Sequence, residues 1–188
     1  MGSGIRFLVM DDDMMKMLPK ELESKVTWDA IQNEFGSTEL IYIAFGKKGE
    51  SVFNTKSFST LWELTKSLEQ EDQIEEVASL SNISRIDNVD DFMEVDNLQT
   101  DRNLTSAQIS EIKIYLEKNP AIKKRFISED EEYFAIYAQP YGNKTFDLFS
   151  KVVVDKTNDI LKGYEIHYGC LLYTSDAADE RSSVDLGG

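Results

Sequence analysis

Unbroken apolar runs alternate along this chain with segments in which apolar residues recur every three or four positions. The clearest run is residues 40–45, which Phe35-Gly36 precede and a Gly-Lys-Lys-Gly sequence follows. Consecutive apolar residues over this length predict a short strand that is buried on both faces. Residues 133–138 form a second run of this kind. We therefore expect two interior strands and helices that cover them.

Helical spacing occurs in four segments. The first, residues 21–35, is expected to end at Gly36, because glycine readily adopts the left-handed conformation that stops a helix. The second is expected to begin at a cap formed by Asn54 or Ser57, and the third at Thr105, which forms a capping box with Gln108. The predicted buried stripes are Trp28, Ile31 and Phe35; Phe58, Leu61, Thr65 and Leu68; Ile109, Ile112 and Leu116; and Phe146, Phe149, Val153 and Ile160.

The remaining segments complete an alternating order of strands and helices. Residues 77–83 predict an extended segment, residues 125–128 and 133–138 a β-hairpin, and residues 164–168 a last strand. The acidic residues 87–102 predict a surface loop rather than part of the core. Without this acidic loop and the helix after it, the order is β-α-β-β-α-β. That order is typical of an α+β, ferredoxin-like split sandwich with helices on one face of the sheet.

A set of short motifs follows one another in a recognisable order within residues 5–169. They are Met17-Leu18-Pro19-Lys20, Phe35-Gly36-Ser37, Val52-Phe53-Asn54, Val77-Ala78-Ser79-Leu80-Ser81-Asn82, Glu129-Asp130 and Gly163-Tyr164-Glu165-Ile166-His167-Tyr168-Gly169. The ordered set resembles the first extracytoplasmic loop of RND-superfamily exporters, in the branch of the MMPL and patched-like proteins. Cys170 stands where the family pattern has a second glycine.

The resemblance implies a porter subdomain that lies outside the membrane, between the first and second transmembrane helices of a transporter. Such a domain contributes to the export of lipids or other hydrophobic substrates, is not an enzyme, and sits at the extracytoplasmic or periplasmic face of the inner (cell) membrane. Its partners would be the transmembrane helices, the second loop domain and a hydrophobic small molecule or lipid. The alternative is a stand-alone soluble module of the same fold that binds a ligand or a protein. A hydrophobic span encoded upstream of Met1 would favour the exporter.

The expected organisation has three parts. Residues 1–22 are a strand and connector that follow a missing transmembrane helix, residues 23–170 the ferredoxin-like porter domain, and residues 171–188 a tail. The tail loses all periodicity and resembles translated adapter or vector sequence; a native disordered acidic tail is the alternative. The methionine-rich residues 5–18 are expected to form either a joint with the membrane domain or an edge strand of the sheet.

Charge and composition exclude some function classes. The 188 residues carry a formal net charge of −15, and no cluster of Lys and Arg is present to contact phosphates, so nucleic-acid binding is not expected. A single cysteine, Cys170, permits no internal disulfide. No apolar run approaches the roughly 18 residues that a membrane-spanning helix needs.

The sequence predicts no catalytic, cofactor-binding or metal-binding residue. The residues Asp11-Asp12-Asp13 lack the alternating ligands and the glycine of a metal loop, so a solvated turn is expected there. His167 has no sequence-adjacent catalytic partner, and residues 46–49 predict a plain turn rather than a phosphate cradle. One aromatic set is expected either to pack in the core or to line an apolar pocket: Phe134, Tyr137, Tyr141, Phe146 and Phe149.

Overall fold

The computed structural model describes residues 19, 21–35, 39–89, 92–142 and 145–171. The chain divides into two units, Met1–Gly36 and Ser37–Gly188. The first unit contains helix α1 (Glu23–Phe35), in the segment where the sequence predicts a helix. The predicted stop at Gly36, the aspartates 11–13, the methionine-rich residues 5–18 and the tail beyond Leu171 lie outside the described residues.

The second unit is a mixed α+β structure built on a four-stranded antiparallel sheet. Its elements are β1 (Leu40–Gly46), α2 (Thr55–Glu69), β2 (Ile74–Ala78), β3 (Ser84–Val89), β4 (Phe92–Asn97), α3 (Ser106–Lys118), α4 (Pro120–Phe126), β5 (Tyr133–Pro140), α5 (Phe146–Ile160) and β6 (Glu165–Leu171). The strand order is β2-β5-β1-β6, with every neighbouring pair antiparallel. The two predicted interior strands, β1 and β5, are interior in this order. No helix in the described ranges is long and apolar enough to cross a membrane.

Burial of β1 follows a period of two rather than covering both faces. Ile41, Ile43 and Phe45 are buried, whereas Leu40, Tyr42 and Ala44 are only half-buried. The prediction of a strand buried on both faces is therefore wrong. The reason lies in the helices: α2 packs against α5, β2 and β5, and α5 also packs against β5, so this pair covers the face that carries Ile43 and Phe45.

The core between the sheet and the helices is made by the predicted helix stripes. The helix starts are as expected: the Asn54 side chain accepts a hydrogen bond from the Ser57 amide at 2.9 Å, and Thr105 and Gln108 form a reciprocal capping box. The stripe residues that are buried are Phe58, Leu61, Thr65 and Leu68 on α2, Ile109, Ile112 and Leu116 on α3, and Phe149 and Val153 on α5. Helical periodicity thus identified the buried faces of α2, α3 and α5 correctly, whereas the side chains of the predicted stripe Trp28, Ile31 and Phe35 lie outside what the structure describes.

An insertion between β2 and β5 contains β3, β4, α3 and α4. The prediction of a surface loop at residues 87–102 is wrong in its first part, because β3 and β4 form a two-stranded antiparallel sheet. Backbone pairing does not require apolar side chains, and the register places Arg85 opposite Asp96. The segment after β4 is fixed to α2: buried Gln99 donates to the Phe58 carbonyl oxygen at 3.2 Å, and Arg102 pairs with Glu63 at 2.6 Å.

The segment before β5 also differs from the expected hairpin. Residues 125–128 do not form a strand; α4 continues to Phe126, and a single bridge joins Ile127 to Phe134. Pro120 explains this, because proline has no N–H group to lose at the first position of a helix and its fixed φ suits that position. At the C-terminal end of the sheet, β6 continues to Leu171, which is the first residue of the predicted tail and one residue beyond the predicted end of the domain.

Candidate functional site

The sheet face opposite α2 and α5, here called the open face, carries half-buried or exposed side chains. The register brings Tyr42 beside Tyr137, and Ala44 beside both Ala135 and His167. The residues that define the open face are Tyr42, Ala44 and Gly46 of β1, Tyr133, Ala135 and Tyr137 of β5, and Glu165, His167 and Gly169 of β6. A sheet face that α2 and α5 do not cover and that carries several aromatic rings is a candidate contact surface.

One end of the open face is an aromatic cluster that α4 partly covers. The rings of Tyr42 and Tyr137 make an edge contact, and Phe126 makes a second edge contact with Tyr137 at 5.4 Å between centroids. The Arg125 guanidinium lies 5.2 Å from the centroid of the Tyr137 ring, and the Tyr137 hydroxyl donates to the Arg125 carbonyl oxygen. Burial is the main reason that the pKa of Tyr137 is raised. These contacts fix the position of Tyr137.

The opposite end of the open face is polar and acidic. The Tyr133 hydroxyl donates to the Glu165 carboxylate at 2.7 Å, and its ring makes an edge contact with His167 at 5.6 Å between centroids. The hydrogen bond to Glu165, together with the negative charges of Glu132 and Asp130, raises the pKa of Tyr133 to about 12. The phenol therefore stays neutral throughout the physiological range.

Between these two ends, the row that crosses the three strands consists of Ala135, Ala44 and His167. Ala44 lies directly opposite Ala135, and Gly169 lies opposite Tyr42. At position 46 a side chain is sterically excluded, because a Cβ atom there would lie 1.9 Å from the Glu132 carbonyl oxygen. Methyl groups extend less far from a sheet than tyrosine rings do. The β1 and β5 positions in the middle of the open face therefore allow a partner to approach the backbone closely, with the His167 side chain beside them.

The turn before β5 is held by a group of charged side chains. Glu131 accepts hydrogen bonds from Lys113 of α3 and from Lys123 of α4, each at 2.6 Å, and Lys123 also pairs with Glu117. The two lysines, Lys113 first, lower the pKa of Glu131. Glu131 has a φ of 61°, a value that is uncommon outside glycine. The ion pairs hold the insertion helices against the start of β5.

Two of the places that the sequence offered for chemistry, His167 and the turn at residues 46–49, are among the described residues. His167 is exposed, with the Tyr133 ring beside it and no described nucleophile in contact. Residues 47–50 form a turn in which the Glu50 amide donates to the Lys47 carbonyl oxygen at 3.0 Å. Among the residues in the described ranges, no group of three or more His, Cys, Asp and Glu side chains is arranged to hold a metal ion.

The five aromatic residues considered for a pocket do not form one cluster, although Phe146 makes an edge contact with Phe149 at 5.8 Å between centroids. Phe134 and Phe149 are buried in the core, with Phe134 against Phe58 on the helix side of the sheet, whereas Tyr137 is on the open face and Tyr141 is exposed. Core packing is therefore the better interpretation for Phe134 and Phe149. Reasoning from sequence missed Tyr42, Tyr133 and Glu165, and the two apolar runs, LIYIAF and YFAIYA, contain no alternation that would have separated the tyrosines from the core residues.

Comparison with known proteins assigns neither a family nor a function to the chain. No family model matches the chain, and no curated protein matches it. The open face thus combines a half-buried aromatic end with an acidic end, and Ala44, Ala135 and His167 lie between them.

Proposed function

We propose that the chain supplies the extracytoplasmic loop domain of an RND-type membrane transporter, of the MMPL or patched-like branch, and contributes to the export of lipids or other hydrophobic substrates. In this proposal the second unit is a ferredoxin-like split sandwich of the porter-subdomain type. The observation that carries the proposal is the strand order β2-β5-β1-β6 with all neighbours antiparallel. Two β-α-β units, β1-α2-β2 and β5-α5-β6, interlock to give that order.

The positions of the motif residues support the same proposal. Asn54 caps α2, and the Asn82 side chain accepts from the Ser79 amide at 2.9 Å to close the turn after β2. Asp130 accepts from the Glu132 amide in the turn before β5, and Gly163, with a φ of 87°, precedes β6. Four of the residues in the motifs that carry the family resemblance, Asn54, Asn82, Asp130 and Gly163, thus lie in caps and turns that join the elements of this sheet. Residues of this kind fix a fold more strongly than ordinary surface positions do.

The open face is the surface that we assign to contact within the transporter. A domain in a larger membrane protein must present at least one surface to its neighbours or to the substrate, and aromatic residues are enriched at such surfaces. The open face carries three tyrosines and is not covered by α2 or α5. The same feature also supports the alternative, a stand-alone module that binds an apolar ligand or a protein.

The flanking gene sequence separates the two functions. The exporter proposal expects an open reading frame that continues upstream of Met1 into about 20 predominantly apolar residues, enough to cross a bilayer as a helix. It also expects the frame that follows Gly169 to lead into a further loop segment and a second span. A frame with polar flanking sequence on both sides would reject the exporter and favour the stand-alone module.

A further inference from the structure

Three asparagines of this chain stand in the motif Asn-x-Ser or Asn-x-Thr, which accepts N-linked oligosaccharides when x is not proline. They are Asn82, Asn103 and Asn143, of which Asn143 lies outside the described residues. An N-linked glycan is bulky and hydrophilic, so a folded domain carries it at a surface position whose side-chain amide the fold does not use. The structure separates Asn82 from Asn103 by this criterion.

The Asn82 side chain is fully used by the turn after β2. Its Nδ2 atom donates to the Val77 carbonyl oxygen at 2.6 Å and to the Glu69 carboxylate at 2.8 Å, and its Oδ1 atom accepts from the Ser79 amide at 2.9 Å. Attachment of a sugar replaces one of the two hydrogens on Nδ2, so one of these hydrogen bonds is lost and the sugar competes for the place of its acceptor. Asn82 is therefore unsuited to carry a glycan in the folded protein.

The Asn103 side chain has no such role. It is exposed in the loop between β4 and α3, and it forms no hydrogen bond with any residue that the structure describes. Only the backbone amide of Asn103 is bound, to the Asp101 carboxylate at 3.1 Å. Thr105, the third residue of the motif, is exposed as well and caps α3. A sugar on the Asn103 Nδ2 atom therefore breaks no hydrogen bond within the described part of the chain.

Contacts of the preceding residue show on which side of the domain Asn103 lies. Arg102 donates to the Ser59 hydroxyl at 3.2 Å and to the Glu63 carboxylate at 2.6 Å. Residues 59 and 63 are on the side of α2 opposite the buried Leu61, because a helix turns by about 100° per residue. The loop that carries Asn103 is thus attached to the outer side of α2, away from the sheet, and a glycan there leaves the open face uncovered.

We propose that Asn103 carries an N-linked glycan and that Asn82 stays unmodified in the folded protein. In the transfer, the Asn103 Nδ2 atom forms a bond to the anomeric carbon of a lipid-pyrophosphate-linked oligosaccharide and gives up a proton. The bond from that carbon to the pyrophosphate oxygen breaks, and the lipid pyrophosphate leaves with the electron pair.

This inference rests on the proposed function, because the lipid-linked donor and its transferase act on the side of the membrane away from the cytoplasm. It deepens that function by assigning an orientation to the domain. A bulky hydrophilic group beside α2 turns the outer side of that helix towards solvent, so the contacts within the transporter fall to other surfaces, of which the open face is one.

The first test delivers the full chain into the secretory pathway of cultured animal cells behind a cleavable signal peptide. Asn143→Gln is the background, so that two motifs remain. Peptide mass spectrometry of the soluble protein, after enzymatic release of the glycans in heavy-oxygen water, measures the occupancy of each asparagine. We expect the occupancy of Asn103 to be at least about tenfold higher than that of Asn82. An unmodified Asn103, or equal occupancy of the two, would overturn the proposal.

Matched variants in the same background check the assignment. Asn103→Gln is expected to abolish the electrophoretic shift that deglycosylation reverses, and to leave the melting temperature of the deglycosylated protein unchanged. Asn82→Gln is expected to keep that shift but to melt several degrees lower, because the turn after β2 loses its hydrogen bonds. A shift that persists in Asn103→Gln would overturn the proposal.

Expression of the gene with its native flanking sequence, and without an added signal, separates failure of the site from failure of the proposed function. Modification of Asn103 in that protein supports both. An unmodified Asn103 there, together with a modified Asn103 in the secreted chain, would reject the extracytoplasmic placement while supporting Asn103 as the acceptor. An unmodified Asn103 in both proteins would overturn the acceptor assignment itself.

Discussion

The rings of Tyr42 and Tyr137 meet edge-on across the β1–β5 ladder, with their centroids 4.5 Å apart and their planes at 71°. Aromatic pairs in this geometry contribute about 1 kcal/mol beyond the area that they bury. We expect a double-mutant cycle of Tyr42→Ala and Tyr137→Ala, measured by urea denaturation, to show a coupling of that size. As the control, Tyr42→Ala with Tyr115→Ala on α3, which is not in ring contact with Tyr42, should be additive within about 0.5 kcal/mol. Additive effects in the tyrosine pair would show that the rings do not interact.

Ile43→Asp tests whether β1 is the centre of the fold. Ile43 is 0 % exposed, so an aspartate there is buried without a partner, and we expect a loss of about 3 to 5 kcal/mol in the free energy of unfolding. The control is Ile114→Asp on α3, where the native side chain is 56 % exposed; the expected loss is about 1 kcal/mol or less. Similar losses in the two variants would contradict the placement of β1.

Glu131→Gln removes the charge that pairs with Lys113 and Lys123. The folded-state pKa of Glu131 lies below its ordinary value of 4.5, so the ion pairs stabilise the fold above pH 4.5. That stabilisation is lost as the pH falls through the folded-state pKa. We expect the variant to lose about 1 kcal/mol at pH 7 and to converge with the wild type at acid pH, in denaturation curves from pH 7 to pH 3. Glu117→Gln, at a more exposed carboxylate, is the control, and parallel pH profiles for wild type and Glu131→Gln would contradict the expectation.

Glu165→Gln should change the titration of a tyrosine. The hydrogen bond to the Glu165 carboxylate is the largest reason that the pKa of Tyr133 is about 12, so the variant should shift one tyrosine towards its ordinary value of 10.0. Ultraviolet absorbance of tyrosinate between pH 9 and pH 12 measures this. The shift should be incomplete, because Glu132 and Asp130 also raise this pKa. An unchanged titration curve would show that the hydrogen bond is not formed.

Truncation locates the end of the folded unit. A chain that stops after Leu171 keeps all seven pairs between β1 and β6, and we expect its melting temperature to equal that of the full chain. A chain that stops after Gly169 loses the pairs of Cys170 with Ile41 and of Leu171 with Leu40, and we expect it to melt several degrees lower. Equal melting of the two truncated chains would show that the end of β6 adds no stability.

Sequence periodicity was sufficient where side-chain burial decides the structure. The spacing of Phe58, Leu61 and Leu68 identified the buried face of α2, and Thr105 with Gln108 identified the start of α3. Periodicity was insufficient where backbone pairing or a proline determines which secondary structure forms. β3 and β4 pair through a ladder whose residues are largely polar, and Pro120 begins a helix where a stop was expected.

The sequence did not predict the open face, and the reason is a different one. Tyr42 and Ala44 are apolar enough to extend the run of buried residues, so the two faces of β1 cannot be told apart by hydrophobicity alone. Only the placement of α2 and α5 on one side separates them. The hydrogen bond between Tyr133 and Glu165 joins residues from β5 and β6, and no local pattern predicts it.

The position of β1 between β5 and β6 has a consequence for how the chain reaches its native state. Leu40 pairs with Leu171, so the first strand of the sheet obtains one of its two neighbours from the last. A ribosome or a translocation channel releases these strands far apart in time. Until β6 emerges, β1 exposes a backbone edge in the middle of the future sheet, and closure requires a long loop to be ordered first. An unpaired strand edge that persists in this way is prone to pair with other chains, so the nascent chain is most exposed to aggregation before β6 is complete.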